Sequence, residues 1–482
     1  MINFRIIARV FSMLLILEGL FMIVSAGVSL FYKESAASSL LFAGLTTIFI
    51  GIIVFTPLRN EEKMYGNREG YIIVTGIWLL FSLFGTLPYI YSGSITNFTN
   101  AFFESMSGFS TTGATILTDI EALPHGILFW RSLTQWLGGI GIIFISLSIL
   151  PVVKTINVQI SISEFSGQST DKIHPRILDA ARRLIGIYVI ITFVEAFLLF
   201  AGGMTVFDSV CHSFSTISTG GFSTRNGGIS AFSSPYIKVV ITFFMFIAGT
   251  NLTIFYFILK RNFKKVIENN EFKYYLIICI LFIIITSSLL FSKPGYTLGK
   301  SILDGSFHVV SILTTTGYYS ENYNLWGSLL LLVIFFLMYT GGTSGSSSGN
   351  LKIIRLLIIT KSSRQEMKRT IHPNAFIPVL LDHKIIPQST VYNILVFMAL
   401  YFMIICVSSI VISIMGYDII TSFGTSAALL GNVGYGPGAF GPFSDYSMVP
   451  TAGKWFFAAL MLLGRLEIIT VFILLTRSFY KK

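Results

Sequence analysis

Four short runs in this chain carry the residue types that can replace water around a dehydrated cation. They read Ser110-Thr111-Thr112-Gly113, Ser218-Thr219-Gly220-Gly221, Thr314-Thr315-Thr316-Gly317 and Gly431-Asn432-Val433-Gly434. Each is small or hydroxylated, each ends on glycine, and none contains a carboxylate, which disfavours an acidic ring of the calcium or proton type. Backbone carbonyls turned inward from extended runs of this kind can take over the hydration shell of potassium. Glycine suits the position because aligning successive carbonyls needs backbone angles that a side chain resists.

The four glycines are in register with Asn100, Asp208, Asp304 and Thr421, each 13 residues upstream. All four are residue types that cap helix N-termini. The spacing predicts a helix of about 9–10 residues before each glycine, reaching roughly halfway through a bilayer. The C-terminal end of each helix carries roughly half a negative charge, which favours a cation where four such ends converge. Irregular Gly/Ser/Thr backbone at membrane depth is tolerated only where it is buried in protein or lines water. Four interfacial helices without a shared purpose would not need that register, and internal repetition means a fold made of copies.

The elements that must position these runs are bilayer-spanning. Of 482 residues, 53% are hydrophobic and 11% charged, with mean hydropathy +0.77. Apolar runs of about 20 residues are what a membrane helix needs. Such runs lie near 5–31, 38–56, 70–91, 128–150, 184–202, 236–259, 274–292, 326–360, 390–415 and 454–476. The first two stand alone and the other eight flank the four short segments in pairs. The expected fold is therefore an all-α membrane protein. It has two extra N-terminal transmembrane helices (1–69) and four pseudo-symmetric helix–pore loop–helix units, 70–155, 156–265, 266–365 and 366–482, around one pore. Ser25-Ala26-Gly27 could pass for a signal-peptide cleavage site, but the apolar run continues to Phe31 and a retained helix is expected.

The net charge of +11 is a topology signal and not a nucleic-acid footprint. Lys and Arg concentrate in alternate loops, for example Lys260, Arg261, Lys264, Lys265 and Lys273, and seven between Lys352 and Lys384. The opposite loops hold only Lys33, Arg225, Lys293, Lys300 and Lys454. The positive-inside rule then puts both termini in the cytoplasm. Cys211, Cys279 and Cys406 show no metal-like spacing and read as inert buried thiols.

Two features depart from the repeat. The run 326–360 is too long for one simple crossing and contains Gly341, Gly342, Thr343, Ser344, Gly345, Ser346 and onward to Asn350. Ten small or polar residues cannot form a lipid-facing helix, so 341–350 is expected to be an intramembrane gating loop, with a static kink as the alternative. Arg465 is expected in the middle of the last span, where a charge normally faces the protein interior with a partner. It is assigned to the gate as a donor to the 341–350 loop, the alternative being a structural salt bridge to Glu195 or Glu18. Glu104 is expected to accept hydrogen bonds behind the filter, with His212 and His308 as packing residues.

GFSTTGAT, STGGFST, TTTGYYS and GNVGYGPG together resemble the TrkH/KtrB/HKT superfamily of potassium transporters over residues 70–480, with the two extra N-terminal spans pointing to the bacterial TrkH branch. The resemblance implies one pore per subunit in a homodimer of the bacterial inner membrane, surrounded by lipid. It also implies potassium preference from Gly113, where sodium-conducting plant members carry serine, and a cytosolic TrkA-type nucleotide-binding regulatory ring as partner. No cofactor is expected on this chain. The functional expectation is potassium uptake through a carbonyl-lined filter, with sodium- or proton-coupled symport through the same pore as alternative. An intramembrane enzyme is the remote alternative, since no HExxH, GxSxG, paired-Asp or Walker pattern occurs.

Overall fold

Backbone in a lipid interior has no water to bond, so a spanning chain must close its own hydrogen bonds. The computed structural model accordingly consists of helices joined by short turns. It describes residues 2–59, 66–148, 173–375, 377–382 and 384–480. Lys63, Lys154 and Lys172, and the unit boundary placed at 155, lie outside these residues. Among them the only strands are Val379–Leu381 and Lys384–Ile386, an antiparallel hairpin.

Among the described residues, six helices are long and apolar enough to cross a bilayer: Phe4–Phe31, Ala36–Leu58, Arg68–Tyr91, Ala181–Ala201, Asn270–Phe291 and Gln388–Ile414. The first starts at Asn3, whose side chain accepts from the Arg5 and Ile6 N–H groups, satisfying donors that a helix start leaves free. The first two helices form a tight hairpin. A methyl added at Gly44 would stand 2.8 Å from the Gly19 carbonyl oxygen, and one at Gly19 would stand 2.7 Å from that of Gly44.

Four short helices between the spans are the predicted pore helices, at Phe98–Phe109, Val206–Ile217, Leu298–Leu313 and Ile419–Leu430. They are longer than expected because their caps lie upstream of the predicted ones. Asn97, Thr205, Thr297 and Asp418 occupy the cap positions. Asn100, Asp208 and Thr421 instead supply the N–H groups that Asn97, Thr205 and Asp418 accept. Asp304 is deeper still, its carboxylate 3.2 Å from Lys238 Nζ. A capping residue type three positions into a helix is thus free to act elsewhere.

The second helices of units two, three and four are all broken, where only the third was expected to be. Pro235–Ala248 and Leu252–Leu259 meet at 98°, and Thr451–Arg465 and Ile469–Leu475 at 114°. In unit three, Ser328–Leu337 ends well before Ile353–Ile371 begins. In unit one the described part of the second helix, His125–Ser148, is unbroken. One apolar core joins units two and three through Ile217, Phe244, Tyr275, Phe307 and Leu337. A second joins the N-terminal hairpin to units one and four through Met22, Leu40, Trp78, Phe103 and Phe457. Phe193, Phe197, Ile277, Ile284, Val396 and Ile410 are left exposed on the outside, as a lipid-facing surface requires.

The helix hairpin yields a paired test. Gly44→Ala should destabilise the protein by about 1–3 kcal/mol through overpacking. Gly27→Ala, where an added methyl meets nothing within 4 Å, should be neutral or stabilising by about 0.5–1 kcal/mol. Thermal unfolding of the two variants in detergent reads the difference.

Candidate functional site

Each pore helix ends in the same way. The residue after the helix, Ser110, Ser218, Thr314 or Gly431, stays right-handed, and the next, Thr111, Thr219, Thr315 or Asn432, turns left-handed at φ 53, 54, 60 and 55°. The third residue then bonds five positions back, as in Thr112 N–H to Ser107 O at 2.9 Å, Gly220 to Ser215 at 2.8 Å, Thr316 to Ser311 at 2.8 Å and Val433 to Ala428 at 2.7 Å. This is the hydrogen-bond pattern of a Schellman cap, normally closed by glycine. Three of the four left-handed positions are threonine, a β-branched residue for which the conformation costs on the order of 1–3 kcal/mol. The runs are therefore not simply extended. Two of their four residues are helix cap, and the fourth, Gly113, Gly221, Gly317 or Gly434, is left-handed again at φ 81, 76, 76 and 89°.

The four glycines close a cycle. A methyl at Gly113 would lie 2.1 Å from Gly220 O, one at Gly221 2.0 Å from Thr316 O, one at Gly317 1.9 Å from Val433 O, and one at Gly434 2.4 Å from Thr112 O. Each unit thus abuts the next in chain order, and the fourth returns to the first. Hydrogen bonds repeat the cycle with three kinds of donor, an amide of Gln, two tyrosine hydroxyls and an amide of Asn. Gln135 Nε2 donates to Gly220 O at 2.6 Å and Tyr318 Oη to Phe222 O at 3.1 Å. Tyr323 Oη donates to Tyr435 O at 3.3 Å and Asn432 Nδ2 to Thr112 Oγ1 at 2.9 Å. All sixteen residues of the four runs are buried. A ring dense in oxygen, at the negative ends of four helices and free of carboxylates, suits a monovalent cation.

Nine residues before each glycine stand Glu104, His212, His308 and Thr425. Glu104 behaves as expected, accepting from Thr115 Oγ1 at 2.9 Å and Ile116 N–H at 2.9 Å. It also holds Arg131 Nε at 2.6 Å, both side chains being buried. Arg131 in turn donates to Ser223 O at 2.9 Å and lies 3.5 Å over the Phe222 ring. His212 Nε2 sits 3.0 Å from Ser223 Oγ, and the Ser320 N–H donates to His308 Nε2 at 3.4 Å. The two histidines therefore also brace the chain as it leaves the filter. Arg131 and Gln135 were not singled out from the sequence; a charge and an amide four apart in an apolar run were the available signal.

On the side where the pore helices end, the 341–350 loop packs against them, buried except at Gly345. Thr343 N–H donates to Gly249 O of the unit-two break at 2.9 Å. Ser347 Oγ donates to Ile217 O at 3.0 Å, and Gly349 N–H to Thr315 Oγ1 at 2.8 Å. Ser344 N–H donates to Glu271 Oε1 at 2.6 Å. Arg465 is not mid-helix, as was expected, but the last residue of Thr451–Arg465, immediately before the bend. It donates to Ser347 O at 2.6 Å and to Gly138 O of unit one at 2.9 Å. Glu18 and Glu195, its alternative partners, make no ion pair with it among the described residues. Glu467, at the bend itself with φ 55°, pairs with Arg355 at 2.6 Å. The Gly249-Thr250-Asn251 triplet was the visible sign of the second break.

The family described as TrkH, cation transport protein, matches residues 41–479. The Trk system potassium uptake protein TrkH of Salmonella typhimurium is 34% identical over 484 residues, covering the whole of both chains. The protein of the same name from Escherichia coli K12 is also 34% identical with full coverage. The crystal structure of the potassium transporter TrkH from Vibrio parahaemolyticus superposes with a TM-score of 0.91 at 32% identity, covering 100% of both chains.

Removing one member of the Glu104–Arg131 pair leaves a buried charge uncompensated. Glu104→Ala or Arg131→Ala should each cost about 3–5 kcal/mol. The double variant should cost less than the sum, as read by thermal unfolding in a double-mutant cycle.

Proposed function

The chain belongs to the TrkH family of cation transport proteins and is a potassium uptake transporter of the membrane, and we propose that the ion passes through the ring of Gly113, Gly221, Gly317 and Gly434. The carbonyls of residues 110–113, 218–221, 314–317 and 431–434 replace its water. The family transports cations and is not one of enzymes, and potassium is its cargo. The observation that carries the filter assignment is the closed cycle, in which each glycine abuts the carbonyl of the next unit.

The 341–350 loop with Arg465 is the gate. Its support is position: the loop bonds Ile217, the last residue of the unit-two pore helix, and Thr315 of the unit-three filter run, and Arg465 ties it to unit one. Conduction is passive, because a membrane potential supplies about 2.3 kcal/mol per charge per 100 mV, enough to accumulate potassium without a coupled ion. The transporter works as a homodimer in the bacterial inner membrane, with both termini cytoplasmic and unit boundaries near 69, 155, 265 and 365. The alternation of basic loops supports that orientation. A cytosolic TrkA-type nucleotide-binding ring regulates it. Support for a partner is the basic helix Ile353–Ile371, which leads directly from the loop; Lys361 ties it to Leu380 of the hairpin, and Gln365 and Arg369 tie it to Pro378 and Ile377 just before the hairpin.

Gly317→Ser should reduce potassium uptake into proteoliposomes to background while the protein stays monodisperse. Wild-type uptake there would abolish the filter assignment. Arg465→Ala should raise flux in the absence of any partner, and unchanged flux in a stable variant would sink the gate. Imposed sodium or proton gradients should leave the initial rate unaltered; dependence on either would establish symport.

A further inference from the structure

The loop under the filter already holds a cation of its own. Lys352, 8% exposed, turns its ammonium back onto the loop. It donates to the Ser348 carbonyl, to Ser348 Oγ at 3.1 Å and to the Ser346 carbonyl at 3.4 Å. Ser346 Oγ and Ser348 Oγ are themselves 2.7 Å apart. The position is unfavourable for a lysine on two counts. It is the residue preceding the first turn of Ile353–Ile371, where the helix dipole disfavours positive charge. An ammonium at membrane depth also loses its water. The serine oxygens are what offset both costs. The surrounding carboxylates are engaged elsewhere, Glu271 with Ser344 N–H and Glu467 with Arg355, while Arg465 approaches the same loop from unit four.

We infer that the Ser346 and Ser348 oxygens form a monovalent-cation site on the conduction path, and that Lys352 fills it as a tethered substitute for the ion. This rests on the reading of 341–350 as the gate. Backbone carbonyls and a hydroxyl serve an ammonium and a potassium ion by the same lone pairs. Closure places the ammonium among them. Opening withdraws it, and the vacated oxygens receive the ion leaving the filter. Ion and gate therefore compete for one set of ligands, and higher potassium concentrations favour the open loop.

The test is Lys352→Met in the full-length protein, with Lys352→Gln measured alongside so that a folding defect in one does not decide the outcome. Rubidium-soaked crystals of either variant should show an anomalous peak between Ser346 and Ser348 that the wild type lacks. Adding Ser348→Ala should weaken that peak. Partner-free rubidium flux should rise about tenfold, the shift expected from losing one charge-assisted hydrogen bond. Wild-type flux with no new peak in both variants would overturn the inference. Shortening the loop by removing 344–347 separates this from failure of the gate. Raised flux in the shortened protein but not in the lysine variants would refute only the tethered cation. Unchanged flux in the shortened protein would refute the gate itself.

Discussion

Ending a helix inside a membrane exposes its last carbonyls to a medium that cannot bond them. The four pore helices meet that constraint with one device, a left-handed residue that lets the chain fold back and bond the final turn. The cap satisfies some carbonyls and leaves the chain heading toward the centre, where it delivers a second left-handed residue, the registered glycine. Only there must the side chain be absent, because the next unit's carbonyl lies where a methyl would stand. At the first left-handed position, threonine or asparagine is accommodated, and Thr315 and Asn432 use their side chains there, Thr315 receiving the Gly349 N–H and Asn432 donating to Thr112.

That geometry repeats four times, while the side chains around it repeat only in part. The seams between units are closed by a glutamine, two tyrosines and an asparagine. The brace behind the filter run is a buried ion pair in unit one and a histidine in units two and three. A four-fold backbone requirement is thus met by side chains that differ between most of the units. Repeats within one chain can diverge in this way, since each position is encoded separately, whereas identical subunits cannot.

The asymmetry is greatest where the second helices pass beneath the ring. Three of them break, and their breaks meet: the unit-three loop bonds Gly249 at the unit-two break, and Arg465 at the unit-four bend bonds Ser347. Broken helices at membrane depth expose unpaired backbone, and here those groups satisfy one another. Cationic groups collect at the same junction, with Arg465, Lys352 and Arg355 all buried. Their positive charge lies beneath the ring, opposite in sign to the helix C-termini that end at it.

The sequence by itself determined the membrane class, the four copies, the registered glycines and the small-residue break at 341–350. Each of these is a local property of composition or spacing and survives without knowledge of neighbours. Helix starts were misplaced by three residues or more, because Asn, Asp and Thr are equally suited to a cap and to a bond elsewhere, and only packing assigns them. Arg465 was recognised as a buried charge with a partner in the loop. That it ends a helix instead of sitting within one depended on the 114° bend, which Gly464 beside it does not by itself specify. The ring closure, the seams and the oxygens around Lys352 join residues from about a hundred to over three hundred positions apart or depend on how a loop folds on itself. Distances of that kind are set by how helices pack, and only the tertiary structure decided them.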